Sequence, residues 1–125
     1  MKKIIATDKA PAAIGPYSQA VEVNGLIFVS GQLPIDPATN DFPEGGIKEQ
    51  TAQCFENIKA ILAEAGLTTD NIVKTTVLLN DIANFAGMNE VYATQFVGTF
   101  PARSAFAAKD LPKGAMVEIE VIAAR

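Results

Sequence analysis

Apolar and polar residues alternate in short runs over the first third of the chain and in longer ones after it. Lys3 to Ala6 has the length of a short strand. Ala20 to Val23 and Leu26 to Ser30 flank Asn24-Gly25. Asn-Gly between two apolar runs is the strongest local hairpin signal, because both residues tolerate the positive φ of a tight turn. Pro34 to Gly46 is broken by Pro and Gly and predicts a loop. From Ile47 to Ala65, apolar or small residues recur at three- and four-residue spacing: Ile47, Thr51, Cys54, Phe55, Ile58, Ile61, Leu62 and Ala65. That spacing predicts an amphipathic helix, with Lys48, Glu49, Gln53, Glu56, Lys59 and Glu64 on its other side. Gly66 follows as a left-handed cap.

Ile72 to Leu79 is rich in β-branched residues and predicts a strand. Simple alternation puts Val73, Val77 and Leu79 on one face, with Lys74 and Thr76 on the other. Asn84 to Val97 predicts a second helix, its stripe formed by Phe85, Met88, Val91, Tyr92 and Phe96. Ala102 to Ala107 and Met116 to Ala124 complete the set as strands. The order β-β-β-α-β-α-β-β predicts an α+β fold, a mixed sheet with two helices packed on one face. The last strand carries a further hint. Val117, Ile119, Val121 and Ala123 suit a covered core, whereas Met116, Glu118, Glu120 and Ile122 make the opposite face half apolar, with two carboxylates ~7 Å apart. Such a face suits packing against another subunit, with a polar pocket.

The chain has 125 residues, room for one domain spanning 1–125. No apolar run approaches the length of a membrane span, and Met1 to Pro11 lacks a signal-peptide core, so a cytoplasmic protein is expected. There is no histidine and one cysteine, which excludes a His-based triad, a zinc cluster and an internal disulfide. The net charge of −4 gives no obvious basic face, so nucleic acid is not expected as a partner.

Several residues could carry chemistry. Arg103, in Phe100-Pro101-Ala102-Arg103-Ser104, offers a fork of donors suited to a carboxylate or phosphate. The blander reading is a structural pair with Glu118 or Glu120. Glu118 is a candidate base or water-orienting group, or else an interface carboxylate. Tyr17 follows the Gly15-Pro16 turn and can line a cleft or simply pack. Gly31, after Ser30, permits close approach to the backbone, or merely ends a strand. Asn89 interrupts the second apolar stripe and can cap or hydrogen-bond across an interface. Cys54 reads as a small buried hydrophobe. Glu44-Gly45-Gly46 before a helix is a weak phosphate-site signal.

Three stretches resemble the Rid (YjgF, reactive intermediate deaminase) family: Ala10-Pro11-Ala12-Ala13-Ile14-Gly15-Pro16-Tyr17-Ser18-Gln19-Ala20, then Val29-Ser30-Gly31-Gln32-Leu33-Pro34, then Phe100-Pro101-Ala102-Arg103-Ser104 with Leu111-Pro112-Lys113 and Val117-Glu118-Ile119-Glu120. They fall in the right order over essentially the whole chain. The resemblance implies a chorismate-mutase-like fold and a homotrimer with a central β-barrel and clefts between subunits. It implies a cofactor-free enzyme, without metal, that hydrolyses 2-aminoacrylate and related 2-imino acids to 2-keto acids and ammonia. By position, Arg103 would grip the substrate carboxylate. Glu118, steadied by nearby positive charge, would hold the attacking water. Tyr17, Ser30, Gly31 and Asn89 would line or support the cleft, and backbone near Gly31 and Ala105 would bind the nitrogen. Relatives often carry cysteine where this chain has Ala105. A thiol nucleophile there would make this protein inactive, whereas a backbone role would leave Ala105 harmless. Imine hydrolysis uses water, which favours the second. The rival readings are a 2-keto-acid-binding regulatory trimer without turnover and an RNA-binding protein or ribonuclease.

Overall fold

The computed structural model describes residues 1–125. Its strands are β1 (Lys3–Ile5), β2 (Ala20–Val23), β3 (Leu26–Gln32), β4 (Ile72–Leu79), β5 (Ala102–Ala107) and β6 (Val117–Ala124). Its helices are α1 (Ile47–Glu64) and α2 (Phe85–Ala93). The strands form one sheet in the order β1-β2-β3-β6-β4-β5. β4 and β5 run parallel and all other neighbours antiparallel, so the sheet is mixed, as the element order implied. No helix is long and apolar enough to cross a membrane.

The core lies between the sheet and the two helices. Phe55, Ile58, Ile61 and Leu62 of α1 and Met88 and Tyr92 of α2 pack on Ile27, Val29, Val77, Leu79, Val117, Ile119 and Val121. On β6 the alternation holds: Val117, Ile119, Val121 and Ala123 are buried, while Glu120 is exposed on the opposite side. The hairpin between β2 and β3 turns at Asn24 and Gly25, both at positive φ (50° and 78°), the pattern of a type I′ turn. Gly66 takes φ 76° just beyond α1, and the Leu67 N–H donates to the Leu62 carbonyl at 2.9 Å, closing the helix end.

Three features depart from the sequence reading. Val73 is not on the core face but 47% exposed, and Ile72 is buried instead. The β4–β6 register moves from Ile72↔Ala123 to Lys74↔Ile122, so Val73 is the extra residue of a bulge, which resets the alternation. The second helix stops at Ala93 rather than Val97. The Thr94 hydroxyl donates to the Val91 carbonyl at 2.6 Å, and a side chain competing for a helical carbonyl favours termination. Finally, α1 buries Gln50 and Asn57 as well as its apolar stripe. Asn57 Nδ2 donates to the carbonyls of Leu33 and Ile35 at 3.1 and 2.9 Å, which ties the start of the 34–46 loop to the helix. Gln50 Oε1 accepts from the Met116 N–H at 2.9 Å, just before β6.

Candidate active site

The predicted site residues form two groups. The first is built on β3 and β6. Between Val29↔Val121 and Gln32↔Ile119, three steps along β3 match two along β6, so Ser30-Gly31 bulges outward. Gly31 lies against the Glu118 side chain: a Cβ added there would overlap Oε2 and sit 3.0 Å from Cδ. Glycine is therefore what lets the carboxylate rest on the bulge.

The Ser30 hydroxyl is already engaged, donating to the Ser18 carbonyl at 2.6 Å, while the Ser30 N–H donates to the Gln19 carbonyl at 2.9 Å. Ser30 thus pins the segment that carries Tyr17. Gln19, buried, completes the staple. Its Oε1 accepts from the Thr7 N–H at 2.7 Å, and its Nε2 donates to the carbonyls of Thr7 and Pro11 at 3.0 and 2.7 Å. Tyr17 itself is exposed, on the rim of a cavity of about 600 Å³ that Ser30, Phe28, Lys74 and Glu120 also line. Burial pushes the Glu118 carboxyl above its ordinary value, and repulsion from Glu120 adds to the shift. The steadying positive charge expected from the sequence is not found within the chain: Glu118 makes no salt bridge.

The second group sits at the β5 edge. Arg103 and Ala105 pair in register with Thr75 and Val77, which face the helices, so both point to the helix side of the sheet. Ala105 packs on the core. The Arg103 guanidinium lies over two rings of α2, with Cζ 4.7 Å from the Tyr92 centroid and 5.3 Å from that of Phe85. Its Nη1 donates to Asn89 Oδ1 at 2.6 Å. The ion pairs of the chain are Lys48–Glu90, Lys59–Glu56 and Arg125–Glu22. Arg103 belongs to none of them. It is a cation held by a neutral amide and aromatic faces, with most of its donors unspent. It opens onto a concavity of about 440 Å³ lined by Asn89, Tyr92, Phe100 and Pro101.

Glu118 pairs in register with Leu78 and shares the open face, so Arg103 and Glu118 stand on opposite sides of one sheet. The structural pair between Arg103 and either Glu118 or Glu120 weighed from the sequence does not form. The structure thus brings together Tyr17, Ser30, Gly31 and Glu118, and separately Asn89, Arg103 and Ala105.

Two lesser signals resolve simply. The N-terminus of α1 is occupied by the chain's own Glu49, whose Oε1 accepts from the Gly46 N–H at 2.9 Å. Cys54 is fully buried, and loss of hydration pushes its thiol well above the ordinary value. No group of three or more His, Cys, Asp or Glu side chains is placed to hold a metal ion. Sequence reasoning overlooked Gln19 and Thr75 as supports and took Tyr92 only as core. The legible signal was a phenol inside an apolar helical stripe, since a buried hydroxyl must find a partner.

A family model described as Endoribonuclease L-PSP matches residues 7–125. The chain belongs to this family. A mouse protein named 2-iminobutanoate/2-iminopropanoate deaminase is 50% identical over 123 residues, 98% of this chain and 91% of its own length. Among solved structures, a Yersinia pestis protein of the conserved Rid protein family, YyfA, is 52% identical, with a TM-score of 0.96 and full coverage of both chains. Escherichia coli TdcF, solved with bound serine, is 44% identical with a TM-score of 0.94, covering 98% of each chain. The resemblance seen in the three sequence stretches is borne out, and the Endoribonuclease L-PSP/Rid chain has relatives with a named chemistry.

Proposed function

We propose that this protein is a 2-iminobutanoate/2-iminopropanoate deaminase, hydrolysing 2-imino acids to 2-keto acids and ammonia. The mouse relative carries that name over nearly the whole chain, and several mammalian relatives share it. The observation that carries the site assignment is the unpaired Arg103 guanidinium, held over Tyr92 by Asn89. It suits the α-carboxylate that every such substrate bears, a group also present in the serine bound by TdcF.

Arg103 and Glu118 cannot reach one small molecule across a sheet, so each chain holds two incomplete halves. The open face, with Phe28 39% and Phe106 50% exposed, suits burial against further copies. Three copies closing these faces into a central barrel would set the Arg103 edge of one copy beside the Glu118 bulge of the next. In that cleft Arg103 fixes the carboxylate and so the imine carbon. Glu118 orients a water and accepts its proton as the C–O bond forms. Glu118 then returns that proton to the nitrogen of the carbinolamine, whose hydroxyl gives up its own proton as the C=O forms and the C–N bond breaks, and ammonia and the 2-keto acid leave. Tyr17 closes the rim. Water is the nucleophile, so Ala105 removes nothing the reaction uses.

The test is subunit mixing. Arg103→Ala and Glu118→Gln chains are each expected to be inactive on 2-aminoacrylate made in situ by a serine/threonine dehydratase. Refolded together, they should regain about a quarter of wild-type turnover, because random assembly gives that share of clefts both intact halves. No recovery in mixed oligomers would refute the split site.

The ribonuclease of the family description is less well served by this chain. Lys48, Lys59 and Arg125 are each spent on a carboxylate, and the net charge is −4. A purely binding role for 2-keto acids would use the same Arg103, and Glu118→Gln separates it from catalysis by sparing binding and removing turnover.

A further inference from the structure

A bidentate grip on a carboxylate requires the guanidinium plane to be fixed, because both N–H groups must lie in the plane of the two oxygens. Arg103 sits on an edge strand, so little of that fixing comes from its own strand. Its register partner across the parallel ladder is Thr75 of β4, fully buried on the same face. The Thr75 hydroxyl bonds one group, the phenol of Tyr92, at 2.7 Å. Tyr92 reaches this point from α2 and passes its ring beneath Arg103, 4.7 Å from Cζ. Phe55 abuts the same ring edge-on at 5.6 Å, and Phe96 lies at 5.0 Å. The ring is thus bolted at its hydroxyl and packed on its flanks. The core alone does not call for this pair. Phenylalanine and valine would fill nearly the same space with no hydroxyl to desolvate.

We propose that the Thr75–Tyr92 pair is a positioning device for Arg103. The hydrogen bond fixes the plane of the Tyr92 ring, and the ring, with Asn89, fixes the plane in which Arg103 presents its free N–H groups. Neither residue touches the reacting atoms. The proposal rests on the reading of Arg103 as the carboxylate grip.

Tyr92→Phe, Thr75→Val, the double variant and Thr75→Ser are compared with wild type and Arg103→Ala. The readouts are steady-state kinetics on the in-situ imine and the Kd for pyruvate by calorimetry, both well below the melting temperature. Loss of the bond should raise KM and the pyruvate Kd about three- to tenfold. It should leave kcat within about twofold. The double variant should be no worse than either single one, since both remove the same bond. Thr75→Ser, which keeps the hydroxyl, should retain wild-type KM. Unchanged KM and Kd in Tyr92→Phe and Thr75→Val, with Arg103→Ala inactive, would overturn the proposal and leave the pair a stabilising role only. An Arg103→Ala protein that binds pyruvate like wild type would instead bring down the carboxylate-grip reading beneath it. Should wild type bind pyruvate without turning over the imine, the Kd comparison alone decides the proposal.

Discussion

On the helix side of the sheet, charge is accommodated by neutral partners. Arg103 rests on Tyr92 and Phe85 and gives one donor to Asn89, beside the hydrophobic core. On the open side, two carboxylates are left without an ion-pair partner. Glu118 and Glu120 share a face, and neither forms a salt bridge. The first arrangement holds a cation oriented for an anion. On the second side, burial and then the neighbouring Glu120 make the Glu118 carboxylate harder to ionise. On the proposed reading, one sheet prepares a grip on one face and a base on the other, and assembly joins them.

The contrast is sharpest under substitution. Arg103→Ala should lower kcat/KM by about 10²- to 10³-fold and abolish pyruvate binding in calorimetry. Glu118→Gln should lower kcat by about 10²-fold while pyruvate still binds. A Glu118→Gln protein that lost binding as well would erase the division of labour. The pH profile separates the halves too. Turnover should fall as pH drops through the raised Glu118 value, whereas pyruvate affinity should not follow that limb. For stability the sign is opposite. The folded state holds the Glu118 proton more tightly than the unfolded chain, so this group's contribution declines as pH rises through the same range. Gly31→Ala, which displaces the Glu118 carboxylate, should lower kcat roughly tenfold with a small change in melting temperature. Asn57→Ala lies outside both halves. It should cost about 1–3 kcal/mol in urea unfolding by leaving the Leu33 and Ile35 carbonyls, the latter buried, without their donor, with kcat/KM unchanged. The smallest effect belongs to Glu22, whose carboxyl is held low by its hydrogen bond with Arg125. Its contribution is present at neutral pH and is lost as pH falls through that lowered value, so Arg125→Ala should shift the urea midpoint slightly at pH 7 and not at all in strong acid.

The parts of the fold legible in the sequence were those with local causes. The Asn24-Gly25 turn, the α1 stripe and the two faces of β6 each follow from a period or a dipeptide. The bulges at Val73 and Ser30-Gly31 did not, because an extra residue is defined by the partner strand and leaves the local alternation looking whole. Asn57 and Gln50 were hidden for a related reason. Their polarity is answered by carbonyl and N–H groups of Leu33, Ile35 and Met116, far away in sequence. For the candidate site, the motifs supply names but not the sides of the sheet those residues occupy. That Arg103 and Glu118 face apart emerges only from the β4–β5 and β4–β6 registers, which place Thr75 under one and Leu78 beside the other.

Cys54 has a consequence for the conditions this protein can endure. The only thiol is sealed on the buried face of α1 with its Sγ 3.9 Å from the Val117 carbonyl, and burial pushes its pKa well up. Oxidants and alkylating agents attack accessible thiolates. With alanine at position 105, the proposed cleft presents them with a guanidinium, a carboxylate, an amide and a phenol, none of which reacts readily with peroxide. On the proposed reading, such a catalyst would keep working while thiol-dependent enzymes around it are silenced.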